Sequence, residues 1–258
     1  MNGPVWDESQ LIKNDVFPTI LAIGDSWFWY PKNNLAIPLH KILNKQKSHV
    51  ILVRGYSGAE AVQYASGVLR SQLEKDLDRA TGYGRTLQAV FVSGGGNDLA
   101  GTDDFPELLR ADCSSAASRE ECLRDGQPAR LFDTVTNALL SVVALVQEKL
   151  PGTPVFVHGY DYACPNGKGF LGQGQWLQLP MDQCSVDRTL QQDLVNLLID
   201  RFHAALTTAQ AGNPALQVVN QRGTLGREDW ANELHPTVEG FNRLAKCWVK
   251  PLVALGLA

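Results

Sequence analysis

Apolar stretches of strand length alternate along the chain with longer segments in which apolar residues recur at helical spacing. The strand-length runs fall at residues 19–24, 50–54, 89–93, 154–158 and 216–220, and the helical segments at about 35–45, 59–80, 131–150, 186–210 and 237–255. The clearest helix is the fourth, where Leu190, Leu194, Leu197, Leu198, Phe202 and Leu206 recur on one face and Asp193, Asp200 and Arg201 lie on other sides. Such a face must dock on a sheet. The alternation predicts an α/β chain with five parallel strands covered on both faces. Right-handed crossovers then carry every strand's carboxyl end to one edge, where ligands bind in open α/β sheets. Ser26, Gly58, Asn97, Tyr160 and the loop before His235 all fall at that edge.

Two stretches break the pattern, at about 103–130 and 164–186, and are read as insertions that overhang the edge. The second carries Phe170, Leu171, Trp176, Leu177 and Leu179, which either wall an acyl site or only pack the loop down. With 258 residues and a hydrophobic fraction of 44%, the whole span 1–258 is expected to be one domain with a sizeable core. A formal charge of -4 without basic runs argues against a nucleic-acid partner and for a small-molecule one. No run of about 18 apolar residues suggests a membrane span.

Residues 1–15 lack the basic start and apolar core of a secretory signal, which makes a cytoplasmic address the default. The cysteines pull the other way. Cys113 and Cys122 share one insertion, Cys164 and Cys184 bracket the other, and two disulfides on those pairs would imply an oxidising, exported location. Spacing does not choose among the connectivities. The five histidines, at 40, 49, 158, 203 and 235, show no ligand spacing, so no metal is expected. The glycines at 167, 169 and 172 match a dinucleotide fingerprint on paper but do not open a helix after a strand.

Three blocks carry chemistry. Gly24, Asp25 and Ser26 close the first apolar run; Gly94, Gly95, Gly96, Asn97 and Asp98 close the third; Glu233, Leu234, His235 and Pro236 precede the last helical segment. A serine hydroxyl is a weak nucleophile until a base lies within hydrogen-bond reach, and His235 can be that base. Each block alone has an ordinary reading: a strand-ending turn for Ser26, a helix cap for Asn97, a cap of the final helix for His235. Together they resemble the SGNH, or GDSL, hydrolase family, from residue 19 to about 245. The resemblance implies a flavodoxin-like three-layer α/β/α sandwich with a central five-stranded parallel sheet, an acyl-enzyme on Ser26, and no cofactor. It implies an oxyanion hole made by the Ser26 and Gly58 amides and the Asn97 side chain. Gly58 fits the family's glycine better than Gly55, because it directly precedes a helical segment.

The histidine block departs from the family. Asn232 stands where an aspartate is expected to orient the imidazole. Asp229, Glu228 or Glu233 swings in as the acid, or a backbone carbonyl orients a Ser26–His235 dyad, or rapid catalysis has been lost; sequence leaves all three open. Asp25, Trp27, Tyr160 and Asp161 are candidate substrate contacts, with Trp29 and Tyr30 beside them. The family implies esters, thioesters or acetylated sugars as substrates. An acyltransferase with the same residues and a non-catalytic glycan- or acyl-binding module remain alternatives.

Overall fold

A computed structural model describes residues 3–30, 33–82, 86–100, 104–169 and 176–258. Five described strands, β1 (Ile20–Gly24), β2 (Ile51–Gly55), β3 (Ala89–Ser93), β4 (Val155–His158) and β5 (Leu216–Val219), form one parallel sheet in the order β2-β1-β3-β4-β5. Every residue of β1, β3 and β4 is buried, as expected for strands covered on both faces. The helices are α1 (Glu8–Asn14), α2 (Ala36–Leu43), α3 (Gly67–Gly82), α4 (Gly96–Leu99), α5 (Asp104–Glu107), α6 (Gln127–Lys149), α7 (Gln178–Gln183), α8 (Arg188–Ala211), α9 (Val238–Cys247) and α10 (Val249–Ala254). One layer joins α2, α9 and α10, and the other joins α3, α6 and α8. This is the three-layer sandwich expected from the sequence.

The strand order reverses between β1 and β3. In such sheets the crevice at the reversal, outside the strands' carboxyl ends, is where ligands bind. The register places Gly24 opposite Ser93, so the turns after β1 and β3 leave the sheet side by side. The outer edge of β2 is blunted by Val5, whose amide donates to Ile51 O and whose carbonyl accepts from Val53 N, both at 2.8 Å.

Several boundaries differ from expectation, each for a local reason. The helix read from 131 starts at Gln127, with Pro128 in its first turn, so 127–130 belong to α6 and not to the first insertion. The segment 59–80 breaks at Gly67, φ +81°, into a 3-10 turn (Ala61–Tyr64) and α3. The last segment divides at Trp248 into α9 and α10. The second insertion supplies α7, and Leu179 in it is partly exposed, at 37%. Phe170, Leu171 and Gly172 lie outside the described residues. By length and composition α6 could cross a membrane, but its apolar face, including Val135, Leu139, Val142 and Val146, is buried in the core.

All five cysteines are free thiols. The Cys113 thiol is hydrogen-bonded to Cys122, which keeps that expected pair adjacent. The other two insertion cysteines, Cys164 and Cys184, are both buried. The Cys113 amide donates to Cys184 O at 2.8 Å, joining the two insertions, whereas Cys164 is buried near the charges of Arg227, Glu233 and Lys168.

Candidate active site

The turn that carries Ser26 begins at Gly24, φ +140°, where a Cβ would sit 2.0 Å from Ser93 O; only glycine fits. Asp25 then folds inward, 2% exposed, and accepts from Trp27 N at 2.9 Å, Ser93 Oγ at 2.6 Å and Tyr160 Oη at 2.5 Å. Behind it, His158 Nδ1 accepts from Tyr160 N at 3.3 Å, which leaves its Nε2–H for Ser93 Oγ at 3.0 Å. Burial pushes His158 down to about 3, so it is a neutral donor, and raises the Asp25 carboxyl. The Tyr160 phenol also accepts from Gly96 N at 3.0 Å, tying the β1 turn to the β3 turn. Tyr160 reaches that place from a left-handed backbone, φ +64°.

Asp25, Tyr160 and Asp161, expected as candidate substrate contacts, line the pocket beside Ser26, while their polar atoms are committed to the scaffold. Asp161 is fully buried and accepts from the amides of Tyr162, Gly223, Thr224 and Leu225 at 2.6–3.0 Å. Trp27 is buried too; its Nε1 donates to Leu234 O at 2.9 Å, bracing the loop that carries His235.

Ser26 Oγ lies 2.8 Å from His235 Nε2, and His235 Nδ1 lies 3.0 Å from Asn232 Oδ1. The same Oδ1 accepts from Leu234 N at 3.0 Å and His235 N at 2.7 Å. Those two backbone donors fix the amide's orientation, since a reversed amide would point its NH2 at two N–H groups. Asn232 therefore presents an acceptor to Nδ1–H and leaves Nε2 unprotonated towards Ser26. That is the tautomer a general base needs. Tyr30 stacks on the imidazole, centroids 4.3 Å apart at 20°, and its phenol is hydrogen-bonded to Asn232; Trp176 meets the ring edge-on at 6.0 Å. Burial pushes His235 down to about 4.

None of the three displaced acids reaches the ring. Glu228 is exposed. Asp229 accepts from Arg243 Nη1 at 2.8 Å and Gly226 N at 2.9 Å. Glu233 is fully buried and accepts from the amides of Gly167, Trp176, Leu177 and Gln178 at 2.5–3.2 Å, which pins the second insertion to the histidine loop.

On the other side of Ser26, Gly95 has φ +111° and packs so tightly that a Cβ would lie 2.6 Å from Phe202 Cζ. The turn opens α4, which presents Asn97; its Nδ2 donates one hydrogen to Ala59 O at 2.9 Å, leaving the second for a ligand. Asp98 accepts from Ala61 N at 2.7 Å, and burial pushes its carboxyl up to about 6. Gly58, φ +77°, is exposed in the adjoining loop. Ser26 and Asn97 border an apolar pocket of about 50 Å³, whose walls include Leu99, Phe132, Leu177, Val195, Ile199 and Phe202. Among the described residues, no three of His, Cys, Asp and Glu gather where they could hold a metal ion.

Residues 22–243 match the GDSL-like Lipase/Acylhydrolase family. The chain belongs to that family. At the family level this makes it a carboxylic ester hydrolase. Its fold is shared with a lipase from a goat rumen metagenome (14% identity, 93% of this chain and 97% of that one, TM-score 0.54). A catalytic mutant of an acetylxylan esterase from Geobacillus stearothermophilus aligns similarly (16%, 92% and 93%, 0.53), as does a carbohydrate acetylesterase from Sinorhizobium meliloti (14%, 93% and 100%, 0.52). No curated protein matches the sequence.

Of the residues singled out in the sequence, Ser26, His235 and Asn232 form one hydrogen-bonded chain and Asn97 borders the same pocket as Ser26, whereas Ser93 and His158 were not singled out and Glu233, read as a possible acid, is an anchor for four amides. A buried serine and histidine ending neighbouring strands at the active edge were the available signal for Ser93 and His158. Nothing local marks Glu233 as an anchor, because its partners lie 55 to 66 residues away.

Proposed function

We propose that this GDSL-family chain hydrolyses a carboxylic ester through an acyl-enzyme on Ser26. Ser26 Oγ attacks the carbonyl carbon while its proton passes to His235 Nε2. The tetrahedral oxyanion is held by the Ser26 and Gly58 amides and the free Asn97 Nδ2 hydrogen, each donor contributing about 3 to 4 kcal/mol to the transition state. His235 returns the proton to the departing alkoxide, and water, deprotonated by the same ring, releases the acid. Asn232 orients the ring without charging it. It stabilises the imidazolium less than an aspartate would, and the stacked Tyr30 ring supplies a cation–π contact in its place.

The observation that carries this reading is the continuous chain Ser26 Oγ, His235 Nε2, His235 Nδ1, Asn232 Oδ1, with the amide locked by two backbone donors. It favours a working dyad over a binding module, because a hydroxyl bonded to an imidazole, with an amide N–H nearby left for a ligand, is what acyl transfer needs and ligand binding alone does not. Hydrolysis of p-nitrophenyl acetate tests it, comparing the wild type with Ser26→Ala and Asn232→Asp. The wild type is expected to turn over and Ser26→Ala to be inert. A wild type that binds ester but never acylates would make the chain a binding module.

A further inference from the structure

The pocket beside Ser26 has a shape that bears on the substrate. It is closed from beneath by α6 and α8, through Phe132, Val195, Ile199 and Phe202, and from the side by Leu177 of the second insertion. Phe202 is 3% exposed, stacks on Phe132 at 5.7 Å, and is jammed against Gly95. Such a floor does not retract without moving the glycine turn. A water-sized group needs roughly 10–15 Å³ of such space, so about 50 Å³ admits on the order of four of them.

The pocket also lies on one side of Ser26. It is bordered by Ser26 and Asn97, whereas His235, which must protonate the leaving oxygen, is not among its walls. The alcohol therefore departs on the His235 side, past the half-buried Tyr30 and the exposed Trp29. What remains for the pocket is the acyl group.

We propose that this pocket receives the acyl chain and limits it to about two to four carbons, so that the substrates are short-chain acyl esters of larger alcohols. The inference rests on Ser26 being the residue that is acylated. Ile199 and Val195 are walls of the pocket carried by α8, on a different element from Ser26 and Asn97.

The test varies the two halves of the ester separately. For p-nitrophenyl acetate, butyrate, hexanoate and octanoate, kcat/KM is expected to fall at least about tenfold from butyrate to octanoate, while ethyl to octyl acetates differ by less than about threefold. Ile199→Ala and Val195→Ala are each expected to raise the hexanoate-to-acetate ratio about tenfold. That ratio is internal to each preparation and so does not depend on how much of a variant folds. Octanoate turned over as well as butyrate, or sensitivity to alcohol length in place of acyl length, would overturn the proposal. No turnover of any ester together with no fluorophosphonate label on Ser26 overturns the hydrolase reading itself, and this proposal with it.

Discussion

Around the glycine turns, Asp25 and Asp98 are buried carboxylates whose oxygens hold hydroxyls and backbone amides, whereas the loop carrying His235 sets a neutral amide where a carboxylate would face the imidazole. The acidic residues of that loop are present but differently employed: Asp229 on Arg243, Glu233 on four backbone amides. On both sides of Ser26, carboxylates shape the backbone and the reacting groups stay uncharged. A carboxylate that accepts several N–H bonds fixes a loop more firmly than a neutral acceptor does. A neutral base in an apolar enclosure, in turn, keeps its lone pair free for Ser26 well into the acidic range.

The comparison breaks most completely at Ser26, which both sides flank. Ser26→Ala is expected to lower kcat on the order of 10⁶-fold, measured by steady-state ester hydrolysis. Next comes the oxyanion side, where Asn97→Ala should cost about 10²- to 10³-fold in kcat with KM little changed. On the base side, Glu233→Gln replaces a charged acceptor by a neutral one. The weakened bonds are worth about 2 kcal/mol, a drop in Tm of roughly 4–8 °C, with a moderate loss of kcat as Trp176 loosens from His235. The smallest expected effect sharpens the contrast: Asn232→Asp restores a charge beside Nδ1 and should raise the acid limb of the pH–rate profile by about one to three units, with a modest gain in kcat near neutrality.

Much of this architecture was legible in the chain. The five strands lie within a residue of the apolar runs at 19–24, 50–54, 89–93, 154–158 and 216–220, and the signal is most continuous in β1, β3 and β4, which are buried on both faces. Ser26, Asn97 and His235 were readable because each sits at a strand end or helix start whose local chemistry marks it. The bonds that organise them were not. Ser93 meets Asp25 across 68 residues, and Glu233 meets Leu177 across 56, and no local periodicity encodes such pairings. The role of Asn232 turned on which amide atom faces the ring, and only the folded loop, with its two backbone donors, decides that. The cysteines were open for the same reason: spacing left their connectivity undecided, and it is the packing of the insertions that brings the Cys184 carbonyl to the Cys113 amide.

The central claim is that a buried, uncharged His235, oriented by an amide, is the base. Its imidazole is neutral above its own pKa, so the rate holds while pH stays above that value and falls as pH drops through it. The most direct measurement is the pH dependence of kcat/KM for the wild type on p-nitrophenyl acetate, followed at the phenol–phenolate isosbestic wavelength. With His235 pushed down to about 4 by burial, activity should persist from neutral pH to near pH 5 and then decline along a limb centred close to 4. A limb centred at about 6.5 or above, the ordinary histidine range or higher, would mean that a carboxylate pairs with the ring or that another group is the base.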